Sequence, residues 1–195
     1  MTTRTPDRDK RAALLRAARD VLVEEGYHHA KIDEIAARAG VAKGTYYLYF
    51  DDKRAIFAEL VDGLVGRIEA AIVRVDETAD LGAQVRHNIR ATIAVLAEDL
   101  ALARLVLGVT RGLDAAFTDT ITRLHVGVIT LLSRTLADGQ TLGVVAAGDT
   151  ELLAAFAIGA LKEAVLRSAE LGPARREQLV TELAKFLEEG FLRLR

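Results

Sequence analysis

Residues 41–53 read VAKGTYYLYFDDK, and this stretch decides the fold. The chain has four tyrosines, and three of them, Tyr46, Tyr47 and Tyr49, fall here, with Phe50 next and a lysine on each side, Lys43 and Lys53. A buried helix does not need so many phenolic hydroxyls, and a solvated one does not normally keep so many rings. Just upstream, KIDEIAARAG (residues 31–40) puts Ile32, Ile35, Ala36 and Ala39 on one helical face and stops at Gly40. Two short helices joined through a glycine suggest a helix-turn-helix. Ala36 is small where the helices cross, Gly40 supplies the turn's backbone angles, and Ile35, Ala39, Val41 and Tyr46 hold the pair together.

The second helix is expected to begin near Ala42 and run through Tyr49, about two turns. Its first residues would then enter a DNA major groove. Lys43 can donate to guanine O6 or N7, Gly44 lets the backbone come close, and Thr45 offers a hydroxyl to phosphate and a methyl to thymine. A phenol sets a flat ring against sugar while its hydroxyl reaches a phosphate oxygen, which gives the tyrosines a use. Lys53 adds a positive charge at the start of the next helix, where the N-terminal dipole already favours an anion.

Outward from this stretch the pattern stays helical. Thr5-Pro6 offers a cap and a first helical position, and Leu14, Ala17, Ala18, Val21 and Leu22 make an amphipathic stripe that Gly26 closes. Ile56, Phe57, Leu60, Val61, Leu64, Val65, Ile68 and Ile72 predict a long helix over 53–75. Further helices are expected over 81–98, 100–112 and 115–138. A glycine-rich connection at 138–149 precedes a helix from Asp149 to about Leu171, and Gly172-Pro173 restarts the last one, through Leu194. The expectation is an all-α chain of about nine helices, with no alternating strand pattern.

Composition bounds the function. Hydrophobic residues make up 51% of the 195, enough for a real core. The absence of cysteine excludes disulfides and thiolate chemistry, and with no signal-like N-terminus or membrane-length apolar run it points to a cytoplasmic protein with no membrane partner. Net charge is −2, but six basic residues (Arg4, Arg8, Lys10, Arg11, Arg16 and Arg19) face only Asp7 and Asp9 in the first 19 residues. The adjacent His28-His29 reads as a loop pair rather than a metal site. No di-iron, nucleophile-elbow, phosphate-loop or dinucleotide motif occurs, so neither enzyme, metal nor cofactor is expected.

The segment DEIAARAGVAKGTYYLYFDDKRAIFAEL (residues 33–60) resembles the N-terminal domain of the tetracycline-repressor (TetR) family of bacterial transcription regulators. The resemblance rests on Gly26-Tyr27, on the IA…AGV helix, and on a G-T-x-Y-x-[YH]-F-x-x-K pattern matched from Gly44 to Lys53. It implies base and nearby backbone contacts by Lys43, Gly44, Thr45 and Tyr47, phosphate contacts by Tyr49 and Lys53, and packing roles for Tyr46 and Phe50. One departure concerns Ala30 and Lys31, where the family has Thr or Ser at one or both positions as a helix cap and phosphate contact; here Lys31 would reach the phosphate itself.

The resemblance further implies a three-helix DNA-binding domain over 1–52 and a helical domain over 53–195 that dimerises and binds an effector. The expected partners are a double-stranded DNA operator, a second copy met through helices near 150–170 and 174–194, and an apolar or amphipathic small molecule. Ala154, Ala155, Ala157, Gly159 and Ala160 would let helices approach closely at the dimer contact. Polar residues and rings that could line an effector pocket are His87, Asn88, Arg104, Arg111, Phe117, His125 and Phe156. The expected function is a repressor released from its operator by the effector. The alternative is a helical ligand-binding dimer or carrier without DNA binding.

Overall fold

The computed structural model describes residues 6–73, 76, 78–107, 115–168 and 170–190. Among them are nine helices and no strand: α1 (Pro6–His29), α2 (Ile32–Arg38), α3 (Lys43–Tyr46), α4 (Lys53–Ala71), α5 (Leu81–Glu98), α6 (Leu100–Val106), α7 (Ala115–Thr141), α8 (Thr150–Ser168) and α9 (Pro173–Gly190). The all-α expectation holds. The described residues fall into two compact units, one within Met1–Val65 and Arg104–Ile121, the other within Gly66–Ala103 and Thr122–Arg195.

In the first unit the expected α1 stripe, Leu14, Ala17, Ala18, Val21 and Leu22, is buried together with Ile35 and Ala36 of α2 and Ile56, Phe57, Val61 and Leu64 of α4. Gly26 breaks the regular helix inside α1 with φ 74° and ψ 163°, a backbone region open essentially to glycine alone. The next residue, Tyr27, is buried, its ring edge-on to Phe57 at 5.6 Å. α2 ends with Gly40 at φ 69°: Gly40 N–H donates to Ala37 O and Val41 N–H to Ala36 O, the paired bonds of a Schellman motif. This closure turns the chain sharply from α2 into α3, which packs against it.

The start of α2 lacks such a device. Lys31 occupies the N-cap position in extended conformation without a side-chain cap hydrogen bond. Lys31→Thr would supply an acceptor for the open N–H groups, a gain of about 1 kcal/mol. A thermal melt is expected to move up by roughly 2–4 °C, as for a chain of this size.

In the second unit α5, α8 and α9 pack on one another around Ile89, Ile93, Leu96, Ala154, Val165, Val180, Leu183 and Leu187. Asp80 caps α5 through Ala83 N–H at 2.9 Å, and Asp149 caps α8 through the N–H groups of Glu151 and Leu152. Two ion pairs, Arg86–Glu188 at 3.1 Å and Arg90–Glu177, tie α5 to α9. The second holds the Glu177 carboxyl below the ordinary carboxylate range. At the α7–α8 turn a Cβ on Gly139 would stand 2.6 Å from Val145 Cγ2, while the Gln140 amide donates to Ala146 O and Gly148 O. No helix of the described residues is long and apolar enough to cross a membrane.

Candidate nucleic-acid interface

The α2–turn–α3 element stands on an aromatic base. Tyr46 is fully buried and Phe50 nearly so. Their rings lie 5.7 Å apart, and the Arg11 guanidinium sits over Phe50 at 5.2 Å. Tyr46 Oη donates to Asp52 O at 2.9 Å, tying the chain beyond α3 back to the core. Burial raises the Tyr46 phenol's pKa well above its ordinary value, so the hydroxyl stays protonated as a donor.

With Tyr46 and Phe50 inside, the opposite side of α3 faces out. Lys43 and Gly44 are exposed, Thr45 and Tyr49 half-buried, and the Tyr47 ring stacks edge-on against Tyr46 at 5.5 Å while remaining 47% exposed. A Cβ at Gly44 would meet no atom of the chain within 4 Å. Nothing inside the fold therefore calls for glycine at this helical position, where alanine would be more stable by about 1 kcal/mol.

Lys43 has a partner that spacing alone did not reveal. Its Nζ lies 2.6 Å from Asp33 Oδ1, and this hydrogen bond raises the ammonium's pKa above its ordinary value. Both side chains are largely exposed, so the pair is weak and opens readily. Asp33 thus competes with any phosphate or guanine for the same ammonium. Asp33→Asn is expected to tighten DNA binding at low salt, with the gain shrinking as salt rises, read by a mobility-shift titration.

Lys53, the first residue of α4 and expected at a phosphate, has partners within the chain: its Nζ donates to the carbonyls of Tyr27, of His28 at 3.2 Å and of Ala30 at 2.9 Å, and lies 4.5 Å from the Tyr27 ring centre. Those carbonyls are left open where the chain leaves α1, and an ammonium with three donors satisfies them. At the start of α4 the Asp52 carboxylate already accepts from Ala55 N–H at 2.8 Å and from Arg54 Nε at 2.9 Å. Burial disfavours its charge, but these bonds prevail and keep its pKa low.

Residues 14–60 match the family described as bacterial regulatory proteins, tetR family. Over 160 residues, 81% of this chain and 82% of the relative, the sequence is 30% identical to the fatty acid metabolism regulator protein of Bacillus subtilis. This chain belongs to the TetR family. In fold, this regulator is similar to the fatty acid degradation regulator FadR of Bacillus halodurans, with a TM-score of 0.74, 28% identity and 100% of both chains covered. It is also similar to the Bacillus subtilis FadR solved with stearoyl-CoA, with a TM-score of 0.75, 26% identity, and 92% and 98% of the two chains covered. It is a DNA-binding transcription regulator and not an enzyme.

Of the residues expected to line an effector pocket, two have backbone partners at the end of α4. Asn88 pairs with the backbone of Val73 in both directions, accepting from its N–H at 2.8 Å and donating to its carbonyl at 2.9 Å. His87 Nε2 lies 3.2 Å from Ala71 O. Both therefore close the C-terminal end of α4, whose last carbonyls and the N–H beyond need partners. Arg104 and His125 are exposed. Phe156, expected among the core-facing rings, is 62% exposed because α8 buries Ala154, Ala164 and Val165 on its other side. Arg111 lies outside the described residues, as does the side chain of Phe117 on α7.

Proposed function

We propose that this regulator is a repressor that binds a palindromic DNA operator as a homodimer and leaves it on binding a long-chain acyl-CoA. The observation that carries the effector is the likeness, over four-fifths of the chain, to a fatty acid metabolism regulator, joined to a fold shared with a FadR that holds stearoyl-CoA. An acyl-CoA is also amphipathic, the ligand chemistry expected from the aliphatic bias of the sequence.

Residues 1–52 serve as the DNA-binding domain and 53–195 as the effector and dimerisation domain. Lys43, Gly44, Thr45 and Tyr47 meet base edges and nearby backbone, while Lys31 and Tyr49 reach phosphates. The glycine at Gly44 has its use here, in close approach of helix to groove. Gly44→Ala is accordingly expected to raise thermal stability while weakening operator binding, two opposite effects that one melt and one titration read together.

The dimer forms through α8 and α9. Leu152, Phe156 and Gly159 recur at helical spacing on an exposed face of α8, and Phe186 is 59% exposed on α9. Two recognition elements about 34 Å apart read a palindrome that one short helix cannot specify. The effector acts by changing this separation. α4 carries the chain out of the DNA-binding unit and is held at its far end by His87 and Asn88 of α5, so a ligand that moves α5 moves α4. Coupling of about 1–3 kcal/mol suffices for a switch.

The test is a mobility-shift titration on DNA upstream of the regulator's own gene at physiological ionic strength, with stearoyl-CoA or free coenzyme A added. Retarded DNA released by stearoyl-CoA and not by coenzyme A is the expected result. Binding that ignores acyl-CoA removes the effector assignment. No DNA bound at all puts the carrier reading in its place.

A further inference from the structure

Leu48 is the most exposed large hydrophobic side chain among the described residues, at 81%, and it stands in the middle of the DNA-binding element. Leu48 lies just past the end of α3, where the chain continues in tight turns, with Leu48 N–H donating to Thr45 O and Phe50 N–H to Tyr46 O. At 3.6 residues per turn, Leu48 lies about 180° around the helix from the mean direction of the buried Tyr46 and Phe50. It stands one turn on from Gly44, where a built Cβ would likewise meet open space. Leu48 is therefore the centre of the outward face, not its edge. Tyr47, beside it, is the other exposed large hydrophobic side chain of the element.

We infer that Leu48 is a base-reading residue that packs on the C5-methyl group of a thymine in the major groove. This rests on the DNA-binding reading of α3 given above. The chemistry narrows the contact to one group. A leucine side chain has neither donor nor acceptor, so it cannot read guanine, adenine or cytosine edges, which are distinguished by hydrogen bonds. The thymine methyl is the apolar group the major groove presents. Phosphates and sugars contacted by Leu48 would carry no sequence preference, whereas a methyl contact selects one base pair in each half-site. Lys43 and Thr45 then supply the polar readings around an apolar centre.

The experiment starts from duplexes that the full-length wild-type chain selects from a random-sequence pool. Each conserved thymine of a half-site is replaced in turn by deoxyuridine, which removes the methyl and keeps every hydrogen-bonding group. At one symmetric pair of positions, affinity of the wild type is expected to fall about fourfold per half-site, the worth of one buried methyl group. Leu48→Ala is expected to bind the thymine duplex more weakly and to show no further loss with deoxyuridine at that pair. Because Leu48 is solvated, the variant is expected to melt with the wild type. The inference is overturned if no deoxyuridine position weakens the wild type, or if Leu48→Ala keeps the full deoxyuridine penalty. A wild-type chain that selects no duplex overturns the DNA-binding reading itself, an outcome distinct from both.

Discussion

Replacing Tyr46 by alanine is expected to unfold the DNA-binding element and abolish operator binding. The ring is fully buried, touches Phe50 and Tyr47, and its hydroxyl holds Asp52 O. Truncating a buried aromatic to alanine costs about 3–5 kcal/mol, a large share of the 5–15 kcal/mol that holds a typical domain together. The loss should appear as a lower denaturation midpoint with DNA binding lost in parallel. A Tyr46→Ala chain that melts within a degree of wild type would refute the packing role. Tyr46→Phe keeps the ring and removes only the donor to Asp52, so a loss nearer 1 kcal/mol is expected.

The Tyr46 phenol also sets a sign for pH dependence. Its folded pKa is raised, so its contribution is fully present below the ordinary phenol value near 10 and is lost as pH rises beyond it. The alkaline limb of the wild-type stability curve should be shallower in Tyr46→Phe.

Lys53→Met is expected to destabilise the regulator by roughly 2–3 kcal/mol while leaving the salt dependence of DNA binding unchanged. The substitution keeps the apolar stem and removes a charged donor from the Tyr27, His28 and Ala30 carbonyls, whose loss is the cost of unmade charge-assisted bonds. A phosphate contact behaves differently: its removal flattens the slope of log K against log salt by about 0.9. Thermal melting and a salt titration on the same variant therefore separate the two roles. An unchanged melt with a slope flatter by about one unit would restore the phosphate assignment and discard the cap.

Much of this architecture was legible in the chain. The α1 stripe, the Gly26 break and the Gly40 turn were each set by local rules: helical spacing of apolar residues, and backbone angles open to glycine. The predicted helix over 81–98 coincides with α5, whose first turn Asp80 caps. The helix expected over 53–75 closes earlier, at Ala71, where the receiving groups Asn88 and His87 lie on another helix. No period in the 53–75 stretch could announce a stop made by residues more than a dozen positions away.

The recognition segment divides in the same way. By itself the sequence determined the fold class and the place of the helix-turn-helix, which follow from period and residue type acting over one or two turns. The split of its rings into Tyr46 and Phe50 inside and Tyr47 outside was what the family resemblance implied, and the burial of the rings agrees with it. Only the tertiary structure decided what the charged and polar groups do. Lys53 reaches carbonyls more than twenty residues back, Lys43 meets Asp33 across the α2–α3 turn, and His87 and Asn88 close the end of α4. An ammonium or amide takes whichever acceptors the folded chain brings within 3 Å, and that proximity is a property of packing between helices, not of any one of them.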